Sequence, residues 1–111
     1  MKPSSLQEAV LIIQATFPAQ ELQAWTNLSE DEALAKVHFG LGMWIRNQWV
    51  YGGSPLVTEI HSLAWSIHDD DISSIVLRAL WQYLKHKTCP DLQELLSSYS
   101  LYPEAKYLNW E

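Results

Sequence analysis

Between its glycines and prolines, this chain repeats apolar side chains at the spacing of an α-helix almost without interruption, and no stretch alternates apolar and polar residues as a strand does. That pattern admits one class of fold, an all-α bundle. Ser5 with Glu8 reads as a capping box opening a first helix that runs to about Ala15, with Leu6, Ala9, Val10 and Ile13 on its buried stripe. Phe17-Pro18 breaks it, and Pro18 takes the first position of a short second helix through "PAQELQAW". Ser29 with Glu32 is another capping box, and Glu30, Asp31 and Glu32 complement the dipole of a third helix. The spacing predicts that this helix continues to about Trp49 or Val50 and stops at Gly52-Gly53. Ser54-Pro55 starts a fourth on Leu56, Val57, Ile60, Leu63 and Ala64. "HDDDISS" opens a fifth, from about Asp71 to His86, buried through Ile72, Ile75, Val76, Ala79, Leu80 and Tyr83. Thr88, Pro90 and Asp91 introduce a sixth on Leu92, Leu95, Leu96 and Tyr99, and the aromatic tail "LYPEAKYLNWE" is expected to pack back on the bundle. The expectation is one compact domain over residues 1–111, with five to six helices and the helix around 30–49 at its centre.

The stretch "HFGLGMWIRNQW", residues 38 to 49, explains why that helix is placed centrally. On a helical wheel Leu34, Val37, Leu41, Trp44 and Ile45 share one face, and Arg46 falls on the row Ala35, Phe39, Gly42, Arg46, Trp49. That row is too apolar for a solvent face. Leu41, Trp44 and Ile45 are accordingly expected to be buried together with Ile72, Ile75, Ala79 and Leu80. Gly40 and Gly42 each cost about 1 kcal/mol against alanine inside a helix, so close approach of a neighbour must offset them. A guanidinium on such a row needs a carboxylate, and Asp69, Asp70 and Asp71 are the densest supply. An Arg46 bridge to Asp70 or Asp71 is expected. The competing reading is that these aspartates only cap the amides of a helix start.

The net charge of −6 and pI of about 5.0 disfavour binding to phosphate backbones, and the seven basic residues are scattered rather than clustered. No apolar run approaches the length of a signal sequence or a membrane span. Cys89 is alone, which excludes an internal disulfide and suits a reducing cytoplasm; its "TCPD" setting reads as a turn or helix start rather than a nucleophile.

"VHFGLGMWIRNQW", followed some twenty residues later by "IHDDDISSIVLRALWQYL", resembles a family of small bacterial proteins classed as a domain of unknown function. The resemblance covers roughly residues 30 to 86. Carried over by position, its motifs fall on His38, Phe39, Gly40, Gly42, Arg46, Asn47, Trp49, His68, Asp70, Asp71, Ser73 and Trp81. Asp69 stands where the family usually has proline, and "VYGG" replaces a Gly-Leu-Trp stretch. The resemblance implies a helical fold and a bacterial source, and no activity.

Chemistry is sparse. His38, Arg46, Asn47, His68, Asp69, Asp70 and Asp71 form the one cluster from which an acid–base or ligand site could be assembled. No histidine pair has metal-ligand spacing, and there is no phosphate loop, dinucleotide fingerprint or nucleophile elbow, so neither metal nor cofactor is expected. His61 and Trp65, an i, i+4 pair, read as packing residues, and the six tryptophans as core more than pocket. The first-ranked expectation is therefore a non-enzymatic protein-binding module, an acidic immunity- or antitoxin-type inhibitor of a basic toxin domain. Its partner-facing carboxylates would be Glu30, Asp31, Glu32, Glu59, Asp91 and Glu94. The alternative is a small enzyme or ligand-binding protein built on His38, Arg46, His68, Asp70 and Asp71. Neither a nucleic acid nor a membrane is an expected partner.

Overall fold

A run of eighteen residues, Asp69–His86, supplies the axis around which the other helices gather. In this computed structural model, which describes residues 1–99, that run is one uninterrupted helix, α6. Seven α-helices are described: α1 (Leu6–Thr16), α2 (Ala19–Trp25), α3 (Glu30–Lys36), α4 (Leu41–Ile45), α5 (Pro55–Leu63), α6 and α7 (Leu92–Leu96), with a π-helical turn at Arg46–Tyr51. No strand occurs among the described residues. The chain is all-α, and none of its described helices is long and apolar enough to cross a membrane.

The expected third helix is where sequence and structure part. Instead of one rod over 30–49, the chain forms α3, a break at 37–40, α4 and then the π turn. The break is made of short turns, with Gly40 N–H donating to Val37 O at 3.0 Å and Gly42 N–H reaching the same carbonyl at 2.8 Å. Gly40 thus stands outside any helix, as the residue before α4. The central position passes to α6, against which α1, α3, α4 and the π turn all pack. Ile72, Ile75, Ala79 and Leu80 on α6 are completely buried, as is Ile45, while Leu41 and Trp44 are only half-buried at the edge. Tyr83 is half-buried as well, and Leu77 and Leu84 join the core in its place.

Helix starts follow the capping chemistry closely. Ser29 and Glu32 form the reciprocal box, and Ser54 Oγ accepts from Val57 N–H at 3.3 Å. At α1 the box is displaced: Ser5 Oγ accepts from Glu8 N–H, but the Glu8 carboxylate takes the amide and hydroxyl of Ser4, both at 2.8 Å. Those bonds, the amide first, hold the Glu8 pKa below the usual carboxylate value. Pro18 sits one residue ahead of α2 rather than at its first position. The helix α6 begins at Asp69, two residues earlier than expected, with His68 before it making no side-chain cap. It ends where Lys87 adopts a left-handed φ of 63° and donates to Tyr83 O at 2.7 Å.

Two apolar residues assigned inward face water. Leu63, at the end of α5, is exposed, and Trp65, in the connection to α6, is 72% exposed, so His61 and Trp65 do not form a packing pair. Ala64 and Ile67 carry the burial of that connection instead. The tail expected to fold back, residues 101–111, lies outside the described residues.

Candidate functional site

Arg46 opens the π turn at 5% exposure, on the flank where α4 meets α6. Its guanidinium spends its donors mostly on neutral oxygens. Nη1 donates to Ser73 Oγ at 2.8 Å, and Nη2 donates to the His38 carbonyl at 2.9 Å. Asp70 is the only carboxylate near it among the described residues, with Nε to Oδ1 at 3.6 Å and an Asp70 side chain that is 66% exposed. The expected bridge therefore exists as a long contact with a solvated carboxylate. A buried serine and a peptide carbonyl do most of the work assigned to an aspartate. Ser73 in turn donates to Asp70 O at 2.9 Å, so the arginine, the serine and the first turn of α6 form one linked set. None of Asp69, Asp70 and Asp71 makes a side-chain capping bond in that turn among the described residues; all three favour the dipole, and Asp70 also meets Arg46.

The glycines now divide by role. A Cβ on Gly42 would stand 3.2 Å from Arg46 Nη1 and 3.2 Å from Val37 O, with Leu77 Cδ1 at 3.6 Å. Gly42 is bare because the guanidinium passes over it. Gly40 has only Val37 O at 3.9 Å, so no such crowding applies there.

By holding the His38 carbonyl, Arg46 fixes the 37–40 loop and what it displays. Phe39 on that loop is 79% exposed, and its ring meets the His38 imidazole edge-on with centroids 4.7 Å apart. Beside it lies a hollow of about 390 Å³ formed by Leu34, Ala35, His38 and Phe39 on one side and Ser74 and Arg78 of α6 on the other.

Arg78, which the sequence reading passed over, organises the far end of this seam. Its Nη1 donates to Glu30 Oε2 at 2.8 Å, Nη2 to Asp31 Oδ1 at 3.3 Å, and Nε to Tyr99 Oη at 2.7 Å. Gln82 adds a donor to Glu30 Oε2 at 3.2 Å. Burial alone works against the Arg78 charge, yet the bonds to Glu30 and Tyr99 outweigh it and hold its pKa above the ordinary arginine value. Two of the carboxylates assigned to a partner, Glu30 and Asp31, are thus partly used within the fold. Glu32 completes the α3 capping box, and Asp91 caps α7 by accepting from Gln93 and Glu94 amides. Glu59 and Asp91 border a separate hollow with Cys89, whose thiol is pushed up in pKa by burial and is a poor nucleophile at neutral pH.

The structure brings the expected acid–base cluster together only in part: Arg46 meets Asp70, and His68 and Asp70 lie within charge range of Asp71. The His38 ring faces Phe39 rather than a carboxylate, Arg46 is spent inside the fold, and Asn47 is exposed with no side-chain hydrogen bond among the described residues. Asp71 is the one perturbed carboxyl there: desolvation raises its pKa, with His68 opposing and Asp70 assisting. A raised folded pKa means that the stability it contributes is full below the ordinary carboxylate pKa and is lost as pH rises through the folded value. Asp71→Asn should therefore be neutral to stabilising at pH 7 in urea melts, with the difference vanishing at acid pH. A loss of stability at pH 7 would show that the ionised form is held by a bond the geometry does not contain. Among the described residues no three His, Cys, Asp or Glu side chains gather closely enough to hold a metal ion.

An apolar groove of about 510 Å³ lies on the other side of the 37–40 loop, lined chiefly by Phe17, Leu22, Trp25, Leu28, Val37 and Leu41, with Glu21 and Lys36 also on it. Compared with known families, residues 2–84 match the model of a domain of unknown function, DUF6794. No curated protein and no solved structure matches the chain.

Proposed function

The chain belongs to the DUF6794 domain family, and on that premise we propose that it is a non-enzymatic protein-binding module whose partner presents a basic surface. One observation carries the reading: an arginine is buried to hold a loop whose product is an exposed phenylalanine, in a chain of net charge −6. An exposed aromatic anchor on a fixed loop is what a binding surface needs, because little freedom is lost on docking. The specific form is an immunity- or antitoxin-type inhibitor that occludes a basic toxin cleft in a bacterial cytoplasm, where acidic charge speeds encounter.

Capture from a lysate of the source organism on the immobilised full chain, at low and high salt, tests this. A single stoichiometric basic partner, with association slowing as salt rises and no turnover, is the expected result. Charge reversal at Glu30 or Asp31 is the wrong probe, since it breaks the Arg78 clamp; Glu59→Lys and Glu94→Lys leave that clamp intact. Hydrolysis of a phosphoester or amide by the pure protein, abolished in His68→Ala, would overturn the reading in favour of an enzyme. The 510 Å³ groove favours a second reading, a small-molecule binder, since its volume falls in the usual ligand range.

A further inference from the structure

Asp70, Ser74 and Arg78 occupy one i, i+4, i+8 row of α6. The outer side of the α3–α6 seam reads along that row. At one end stands the Asp70 carboxylate, 66% exposed. In the middle, the hollow of about 390 Å³ has Ser74 and Arg78 in one wall and Phe39 in the other. At the other end Arg78 holds Asp31, whose side chain is 88% exposed and keeps a free oxygen toward solvent. Asp70 and Arg78 stand eight residues apart on α6, about 12 Å at roughly 1.5 Å per residue.

We infer that this seam is the partner-binding surface, and that the partner segment it takes is a basic amphipathic helix with two cations two turns apart and an apolar residue midway between them. The inference rests on the protein-binding reading above and assigns it a place and a chemistry. The spacing follows the α6 row: a docked helix lying along it places its i and i+8 residues as far apart as Asp70 and Arg78, the latter carrying Asp31 at its tip, and its i+4 residue over the hollow beside Phe39. Charge decides the sign of the partner. The seam sets three carboxylates, Asp70, Glu30 and Asp31, against two guanidinium groups, and Asp70 and Asp31 are far more exposed than either arginine, so the charge it presents to solvent is negative. Glu59 on α5, Glu94 on α7 and Asp91 capping α7 lie off this row and take no part.

The probe is an alanine-based helical peptide with Arg at i and i+8 and Leu at i+4, titrated into the full chain by fluorescence anisotropy. A control peptide of the same composition carries the three residues at i, i+2 and i+5. The designed peptide should bind, the control should bind at least about tenfold more weakly, and Phe39→Ala or Asp70→Asn should each weaken binding on the order of tenfold. Glu59→Gln and Glu94→Gln should leave it unchanged, and circular dichroism melts check that every variant is folded. Equal binding of the two peptides, no binding of either, or indifference to Phe39→Ala and Asp70→Asn overturns the inference. The two readings fail separately: a captured partner that is lost with Glu59→Lys and Glu94→Lys, but retained with Phe39→Ala, keeps the protein-binding function and overturns the seam, whereas hydrolysis abolished in His68→Ala overturns the protein-binding function itself.

Discussion

Ile75→Ala should lower the unfolding free energy by about 3–4 kcal/mol, whereas Leu41→Ala should cost only about 1 kcal/mol. The two positions are both large aliphatics on helices, and the sequence pattern treats them alike. In the fold they differ. Ile75 is fully buried on α6, the helix that α1, α3, α4 and the π turn all contact, so the hole left by truncation has rigid walls on several sides and cannot collapse. Leu41 is half-buried as the first residue of α4 and lines the open 510 Å³ groove, where water replaces what the side chain vacates. Urea unfolding with an unchanged m-value measures both. Similar losses at the two sites would mean that the 30–49 segment, and not α6, is the centre of the bundle.

The misplacement of that centre has a physical origin in residues 37–42. Apolar spacing at Leu34, Val37, Leu41 and Ile45 is compatible with one continuous rod, and periodicity carries no information about where a rod snaps. What breaks it is tertiary: the Arg46 guanidinium takes the His38 carbonyl, and Gly42 leaves the space through which it passes. The sequence carries a clue in two glycines near an arginine in an apolar row, which the close-approach reading keeps inside one helix. Caps, by contrast, were readable because their chemistry is local; Ser29 with Glu32 and Ser54 need only their own neighbours. Trp65 was misjudged for the converse reason. Its i, i+4 spacing from His61 suggests packing only if the helix continues, but α5 ends at Leu63, and Ala64 and Ile67 fill the inward positions of the connection.

The seam was half legible. His38, Arg46 and Asp70 were singled out together, and the structure joins them through a carbonyl, a guanidinium and a carboxylate. Arg78 was missed because its partners, Glu30 and Asp31, lie more than forty residues away, and no local pattern pairs them. The available signal was indirect: an arginine midway along a helix whose neighbours Leu77 and Ala79 are apolar must find oxygen on another element.

Arg46→Ala should lower stability by roughly 2–3 kcal/mol, while Asp70→Asn should cost less than about 1 kcal/mol. The disparity follows from where the binding energy of the guanidinium resides. Its approach to Asp70 is 3.6 Å, and the carboxylate is largely in water, so screening leaves that contact little worth. Its bonds to Ser73 Oγ, buried, and to His38 O, partly buried, are short and made by a charged donor, and each such bond contributes on the order of 1.5–3 kcal/mol. Removing the side chain also relieves the cost of burying a charge, which holds the net loss below the sum of the two bonds. The void over Gly42 and the released 37–40 loop remain. Arg46→Lys should fall close to Arg46→Ala, because a single ammonium on a flexible stem cannot span the serine and the carbonyl as the planar fork does. If Asp70→Asn proves as damaging as Arg46→Ala, the ion pair governs the site after all, and the aspartate is the partner that the arginine was buried for.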